Sequence, residues 1–242
     1  MSFDGSAYHG WQVQPNAVTV QQCLDETLAK LFPLLPATVG AGRTDAGVNA
    51  KMMVVHADFP EAIVPSWLVA KLNRMLPADI SLNSVRHVKP EAHARFSAIG
   101  RTYYYDVYTI KNPFRRHFAT RLFYEPDYGK MNEAAKILLS ESDFTSFSKL
   151  HSDAKTNICD VMRAVWQNID GDHWRFEISA NRFLRNMVRA IVGTLLEVGR
   201  GRMSIDDFKK VIESKNRCSA GDSVPANALS LVDIAYPPDI FI

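Results

Sequence analysis

Residues 40–50 read Gly40-Ala41-Gly42-Arg43-Thr44-Asp45-Ala46-Gly47-Val48-Asn49-Ala50, with three glycines bracketing one arginine and one aspartate. Glycine lets a backbone approach a ligand closely, and a loop feeding a strand holds polar side chains where the scaffold places them. In that setting Asp45 can serve as a nucleophile or a base, beside a cation that keeps it ionised. The same residues also suit a tight turn in which Asp45 caps backbone donors and Arg43 is its surface partner. Other chemistries lack their signatures: there is no G-x-G-x-x-G, no Walker loop, no G-x-S-x-G elbow and no H-E-x-x-H. His9, His56, His87, His93, His117, His151 and His173 are dispersed, none paired at i, i+4, so no metal is expected.

Charge is distributed unevenly around a formal total of +2. Residues 1–90 balance, and the surplus falls in 91–242, where Lys111, Arg115, Arg116, His117 and Arg121 cluster. A second set is Arg182, Arg185, Arg189, Arg200 and Arg202, offset by Glu197 alone. Clusters of this kind suit a local polyanion contact, nucleic acid first among them, and equally a solvated face. Arg115 and Arg116 are candidate phosphate contacts.

The elements that must position these residues alternate in an α+β rhythm. Thr19-x-x-Gln22 has capping-box form ahead of Val20, Leu24, Leu28, Leu31 and Phe32 at helical spacing. Met52–Asp58 and Ile80–Val88 read as strands, with a helix between them capped at Ser66. Arg101–Thr109 alternates Tyr103, Tyr105 and Val107 against Tyr104, Asp106 and Tyr108; for Tyr104 and Tyr105 that alternation alone implies sheet packing. A helix is expected over about 130–140, strands near 161–169 and 173–179, and a helix over 183–198 carrying Leu184, Met187 and Ile191 inward. Ser204 opens a last helix, and Leu229–Tyr236 closes the chain as a strand. Long strands with few βαβ spacings favour two α+β halves, 1–95 and 96–242, over a doubly wound sheet. Cys23, Cys159 and Cys218 form no C-x-x-C, no apolar run reaches membrane length and no signal pattern opens the sequence. A cytoplasmic setting is therefore expected.

The segment GRTDAGV resembles the signature of the tRNA pseudouridine synthase A family. Four further blocks resemble that family in the same order: Phe3–Gln12 with Gln14-Pro15-Asn16 and Thr19-Val20-Gln21; His93–Ala98 with Arg101–Tyr105; Asp143–Phe147; and Phe183–Gly193. The matches run from residue 3 to Pro237.

The resemblance implies two similar α+β halves (ferredoxin/RRM-like), with mainly antiparallel sheets joined side by side. It also implies a homodimer with basic RNA-binding clefts, tRNA uridines 38–40 as substrate, and neither cofactor nor metal. Asp45 would be the catalytic aspartate, Tyr103 the catalytic tyrosine that stacks on the target base and can take part in proton transfer, and Arg43 a residue holding the nucleotide out of its stack. Arg189 would pair with the aspartate; a cation in the apolar stretch after Met187 and Val188 needs an anion. A catalytically silent RNA-binding module on the same scaffold is the alternative, and a base-releasing glycosidase a third class. The intact set Asp45, Tyr103 and Arg189 argues against the silent module. Three positions depart from the family pattern. Little strand precedes Asp4-Gly5, so either an abbreviated N-terminus or a weakened edge of the first half is expected; Asn49 stands in place of His; and Ala228 stands in place of a frequent glycine.

Overall fold

The computed structural model describes residues 1–60, 62–149 and 155–242, so His151 lies outside the described residues. The chain forms two compact units, Met1–Ile99 with Leu231–Ile242, and Gly100–Ser230. The first begins with β1 (Ser2–Phe3), α1 (Val20–Ala29), β2 (Val39–Gly40), β3 (Asn49–Ala50), β4 (Val55–His56), α2 (Pro65–Asn73) and β5 (Ile80–Ser81). The second contains β6 (Gly100–Tyr108), β7 (Thr120–Arg121), α3 (Tyr128–Ile137), β8 (Val161–Asp170), β9 (His173–Ala180), α4 (Met187–Gly199) and α5 (Ile205–Glu213). The chain then returns along β10 (Leu229–Ala235) to complete the first unit. The class is α+β, and the strand pairing is mostly antiparallel.

In the first unit β1 pairs antiparallel with both β3 and β5, while β2 and β4 form a separate ribbon. The expected strand Met52–Asp58 is shorter, because residues 49–56 change partner every two positions. Ala50 pairs with Phe3. The Lys51 and Met52 N–H groups both donate to Leu231 O, at 2.7 and 3.3 Å, and Met53 N–H donates to Met1 O. Only Val55 and His56 then pair with β2. The backbone stays satisfied although no single ladder forms. The strand expected over Ile80–Val88 likewise stops at Ser81. Asn73 grips Leu82 on both sides, accepting its N–H at 2.7 Å and donating to its carbonyl at 2.9 Å. Residues 87–89 pair instead with the chain's last residues, through Ile242 N–H to His87 O and Lys89 N–H to Ile240 O.

Thr19 caps α1 as expected, accepting from Gln22 N–H. The Gln22 side chain donates to Glu26, so the reciprocal half of a capping box is not formed. Helix α2 starts at Pro65 rather than at a Ser66 cap; proline suits the first helical position, where its missing N–H costs nothing. Val20, Leu24, Leu28, Leu68 and Leu72 face inward.

In the second unit β9 lies between β6 and β8, both antiparallel, and β7 pairs parallel to β6. Tyr105 and Val107 are fully buried on one face of β6, and Phe176 and Ile178 of β9 join that core. Asp127 and Ser204 cap α3 and α5 through their side-chain oxygens. Helix α4 begins four residues later than Phe183, because Asn186 takes a left-handed conformation, φ 67°, that stops the helix there. Asparagine tolerates that region better than most residues do.

Candidate active site

Asp45 lies half-buried in the loop between β2 and β3, and Arg43 is exposed in the same loop. The loop owes its shape to the segment 3–12 packed against it. Gly47 N–H donates to Tyr8 O at 3.2 Å, Trp11 N–H to Thr44 O at 3.4 Å, and Val48 N–H closes a turn onto Asp45 O at 3.1 Å. Gly10 has φ +87°, and a Cβ there would stand 2.3 Å from Thr44 O and 3.2 Å from the Asp45 carbonyl carbon. The Trp11 indole lies against Gly40 and within 6.2 Å of the Phe3 ring, which makes it packing, as its burial demands. Tyr8 anchors the segment by donating to Asp79 Oδ1 at 2.6 Å. Burial and that carboxylate both push its phenol up, so it remains a neutral donor.

Asn49, in the position where histidine was expected from the resemblance, is buried and accepts Gly5 N–H at 2.8 Å through Oδ1. Its amide oxygen ties the two segments together, a task that needs an acceptor and no titration. Thr44 Oγ1, next in sequence to Asp45, is buried and has no hydrogen-bond partner among the described residues.

Tyr103 and Arg189 belong to the second unit. Tyr103 pairs with Ile178 in the β6–β9 ladder and is half-buried, two residues before fully buried Tyr105 on the same face. Its ring meets Phe183 edge-on, with centroids 5.2 Å apart. Tyr105 is instead a core residue. Its hydroxyl lies 2.7 Å from Thr120 Oγ1 and donates to Pro225 O at 3.1 Å, and burial pushes its phenol up despite Thr120 and the nearby Arg189.

Arg189 stands in the first turn of α4, half-buried, where the positive end of the helix dipole adds to its own charge. That environment favours an anion. Its stem is fixed reciprocally: Nε donates to Val224 O at 2.7 Å, and Val224 N–H donates to Arg189 O at 3.2 Å. The segment carrying Val224 lies so close to α4 that a Cβ on Gly193 would stand 1.8 Å from Asp222 O. Arg217 and Asn186 brace it, both donating to Ser223 Oγ, at 2.9 and 2.6 Å. Sequence reasoning missed this brace, since Arg217 and Ser223 belong to no periodic element. The one available signal was Asn186, a polar residue standing directly ahead of the apolar Met187 and Val188.

The two candidate phosphate contacts differ. Arg115 is held by Asp172 at 3.0 Å and Asp170 at 3.4 Å, and Asp172 also accepts the N–H groups of Thr109 and Ile110. Burial pushes the Asp172 carboxyl up, but these donors outweigh it and hold the group below the usual carboxylate range. Arg116 is exposed, with Nε donating to His117 at 2.9 Å. Among the described residues no three or more His, Cys, Asp or Glu side chains come together as a metal site.

The first unit by itself holds a glycine-braced loop that carries an aspartate, the second by itself a half-buried tyrosine and a fixed arginine, and the class is α+β. A family model described as tRNA pseudouridine synthase matches residues 134–237. Over the full chain the sequence is 55% identical to tRNA pseudouridine synthase A of Bacteroides fragilis, covering 96% of that relative. It is 54% identical to the protein of the same name from Bacteroides thetaiotaomicron, covering all of this chain and 90% of the relative. The corresponding figures for the Porphyromonas gingivalis protein are 48%, 100% and 97%. The chain belongs to the tRNA pseudouridine synthase A family, a family of isomerases.

Proposed function

We propose that this protein isomerises uridine to pseudouridine at positions 38–40 in the anticodon stem-loop of tRNA, with Asp45 as the catalytic carboxylate. The observation that carries the reading is end-to-end identity of 55% with a relative named tRNA pseudouridine synthase A. The bracing of the Asp45 loop by segment 3–12 supports it, because a catalytic carboxylate needs a rigid mount. In the reaction the N1–C1′ glycosidic bond breaks, the uracil rotates, C5 bonds to C1′, N1 gains a proton and C5 loses one. Atoms balance without a co-reactant. Asp45 assists by attacking C1′ or C6, or by taking the C2′ proton.

Flipping the uridine costs a few kcal/mol of unstacking, which an aromatic platform offsets; Tyr103 is assigned that role. Arg189 is assigned to keep the carboxylate ionised, and Arg43 to hold the nucleotide outside its stack. Arg116 is assigned a phosphate contact, with Arg115 fixing the loop that presents it. The proposal extends to two ferredoxin-like halves with sheets side by side, a homodimer and a cytoplasmic location. Among the described residues no helix is long and apolar enough to cross a membrane.

Tritium release from tRNA carrying 5-tritiated uridine, with chelator present, tests the reading. Wild type is expected to release tritium without free uracil, and Asp45→Asn to lose release while binding tRNA within a few-fold of wild type. Free uracil would indicate a glycosidase; no release by wild type, with tRNA still bound, would indicate a silent binding module.

A further inference from the structure

Between the Asp45 loop and β6 the chain makes a compact turn over His93–Ser97. His93 Nδ1 accepts two backbone N–H groups, from Arg95 at 3.1 Å and Phe96 at 3.2 Å. The Ser97 hydroxyl accepts His93 N–H at 3.0 Å, and Ser97 N–H returns to His93 O at 3.0 Å. Two outside groups fasten the turn: His56 Nδ1 accepts Ala94 N–H at 3.0 Å, and Tyr236 donates its hydroxyl to Ala94 O at 2.5 Å. The rings form a ladder, His56 to His93 at 4.7 Å and His93 to Phe96 at 4.4 Å. The Arg95 guanidinium lies over the Phe96 ring, 5.5 Å from its centroid.

All this structure holds one large apolar side chain out of the core, since Phe96 is 75% exposed. A phenyl ring left in water by accident would be mobile and unbraced. This one is fixed at its backbone, backed by an imidazole and flanked by a cation. An aromatic ring with a guanidinium over it is the chemistry on which an unpaired nucleobase stacks. The core of a protein–protein contact, by contrast, is depleted in charge.

Resting on the tRNA reading above, we propose that Phe96 is a stacking platform for an unpaired nucleotide of the tRNA, separate from the target-base role assigned to Tyr103. His93 is the positioning residue that aims it. The platform is sequence-tolerant, because every base offers a π face, and it adds affinity rather than chemistry.

Binding of labelled tRNA by fluorescence anisotropy tests this with Phe96→Leu and Phe96→Trp. Leucine keeps apolar area and removes the ring; tryptophan keeps the stacking face. Phe96→Leu is expected to weaken binding by roughly tenfold, with Phe96→Trp within about twofold of wild type. Melting temperature and sedimentation mass should be unchanged in both. Equal binding by Phe96→Leu and wild type would overturn the proposal, as would a Phe96→Trp variant as weak as Phe96→Leu. A fall in sedimentation mass accompanying the loss would also overturn it, placing the ring in a contact between two copies. Tritium release by wild type is read separately, so its absence would sink the isomerase reading and leave the binding comparison to decide the platform.

Discussion

Arg115 and Arg116 are neighbours in sequence and opposite in situation. The first spends its guanidinium on Asp170 and Asp172, which ties the chain after β6 to the β8–β9 hairpin; the second stands exposed. Composition cannot separate them, because ion pairing depends on two aspartates more than fifty residues away. Arg116→Ala is expected to lower the salt slope of tRNA binding by about 1, as loss of one phosphate contact requires. Arg115→Ala is expected to act on stability instead, costing about 1–2 kcal/mol and a melting temperature lower by roughly 2–8 °C. Titration of binding against salt and a thermal melt on both variants check this; a salt slope altered by Arg115→Ala alone would reverse the assignment. Asn49 gives the same lesson from the other side. A departure from the family pattern proves to be a buried acceptor for Gly5 N–H, so the position is structural.

At the scale of elements, the Asp45 loop is a composite of two segments, and the glycines separate into those the packing requires and those it does not. Gly10 has a positive φ and lies against the Thr44 and Asp45 backbone, whereas a Cβ on Gly42 meets nothing within 4 Å. Gly10→Ala is therefore expected to shift the Asp45 backbone, lowering tritium release by at least tenfold and stability by about 1–3 kcal/mol. Gly42→Ala should leave stability within about 0.5 kcal/mol. Denaturant unfolding and the release assay on both variants decide the matter, and equal effects would refute the bracing argument. Among the helices, α1 and α5 were legible because their caps, Thr19 and Ser204, are local side-chain chemistry; α3 was expected over about 130–140, and its Asp127 cap emerged only in the structure. The starts of α2 and α4 were not legible, since a first-turn proline and a left-handed asparagine override the apolar periodicity.

At the scale of the molecule, the chain's end completes its beginning. Leu231 is buried, and its carbonyl accepts from both Lys51 and Met52, immediately after the Asp45 loop and β3. Leu231→Ala is expected to cost about 2–4 kcal/mol. Hydrogen exchange followed by mass spectrometry should show faster exchange across residues 1–99, ahead of residues 100–230. Uniform acceleration in both units would mean that β10 does not belong energetically to the first. The sequence by itself determined the α+β class, the capped helices, the long strands β6, β8 and β9, and the motif that carries Asp45, because caps, alternation and glycine spacing are local physics. Only the tertiary structure decided that Met52–Asp58 and Ile80–Val88 break into short pieces, that Arg115 is tied down, and that residues 231–242 join residues 1–99. Those outcomes depend on which distant carbonyl or carboxylate accepts a given donor, and that choice is made by the packed chain.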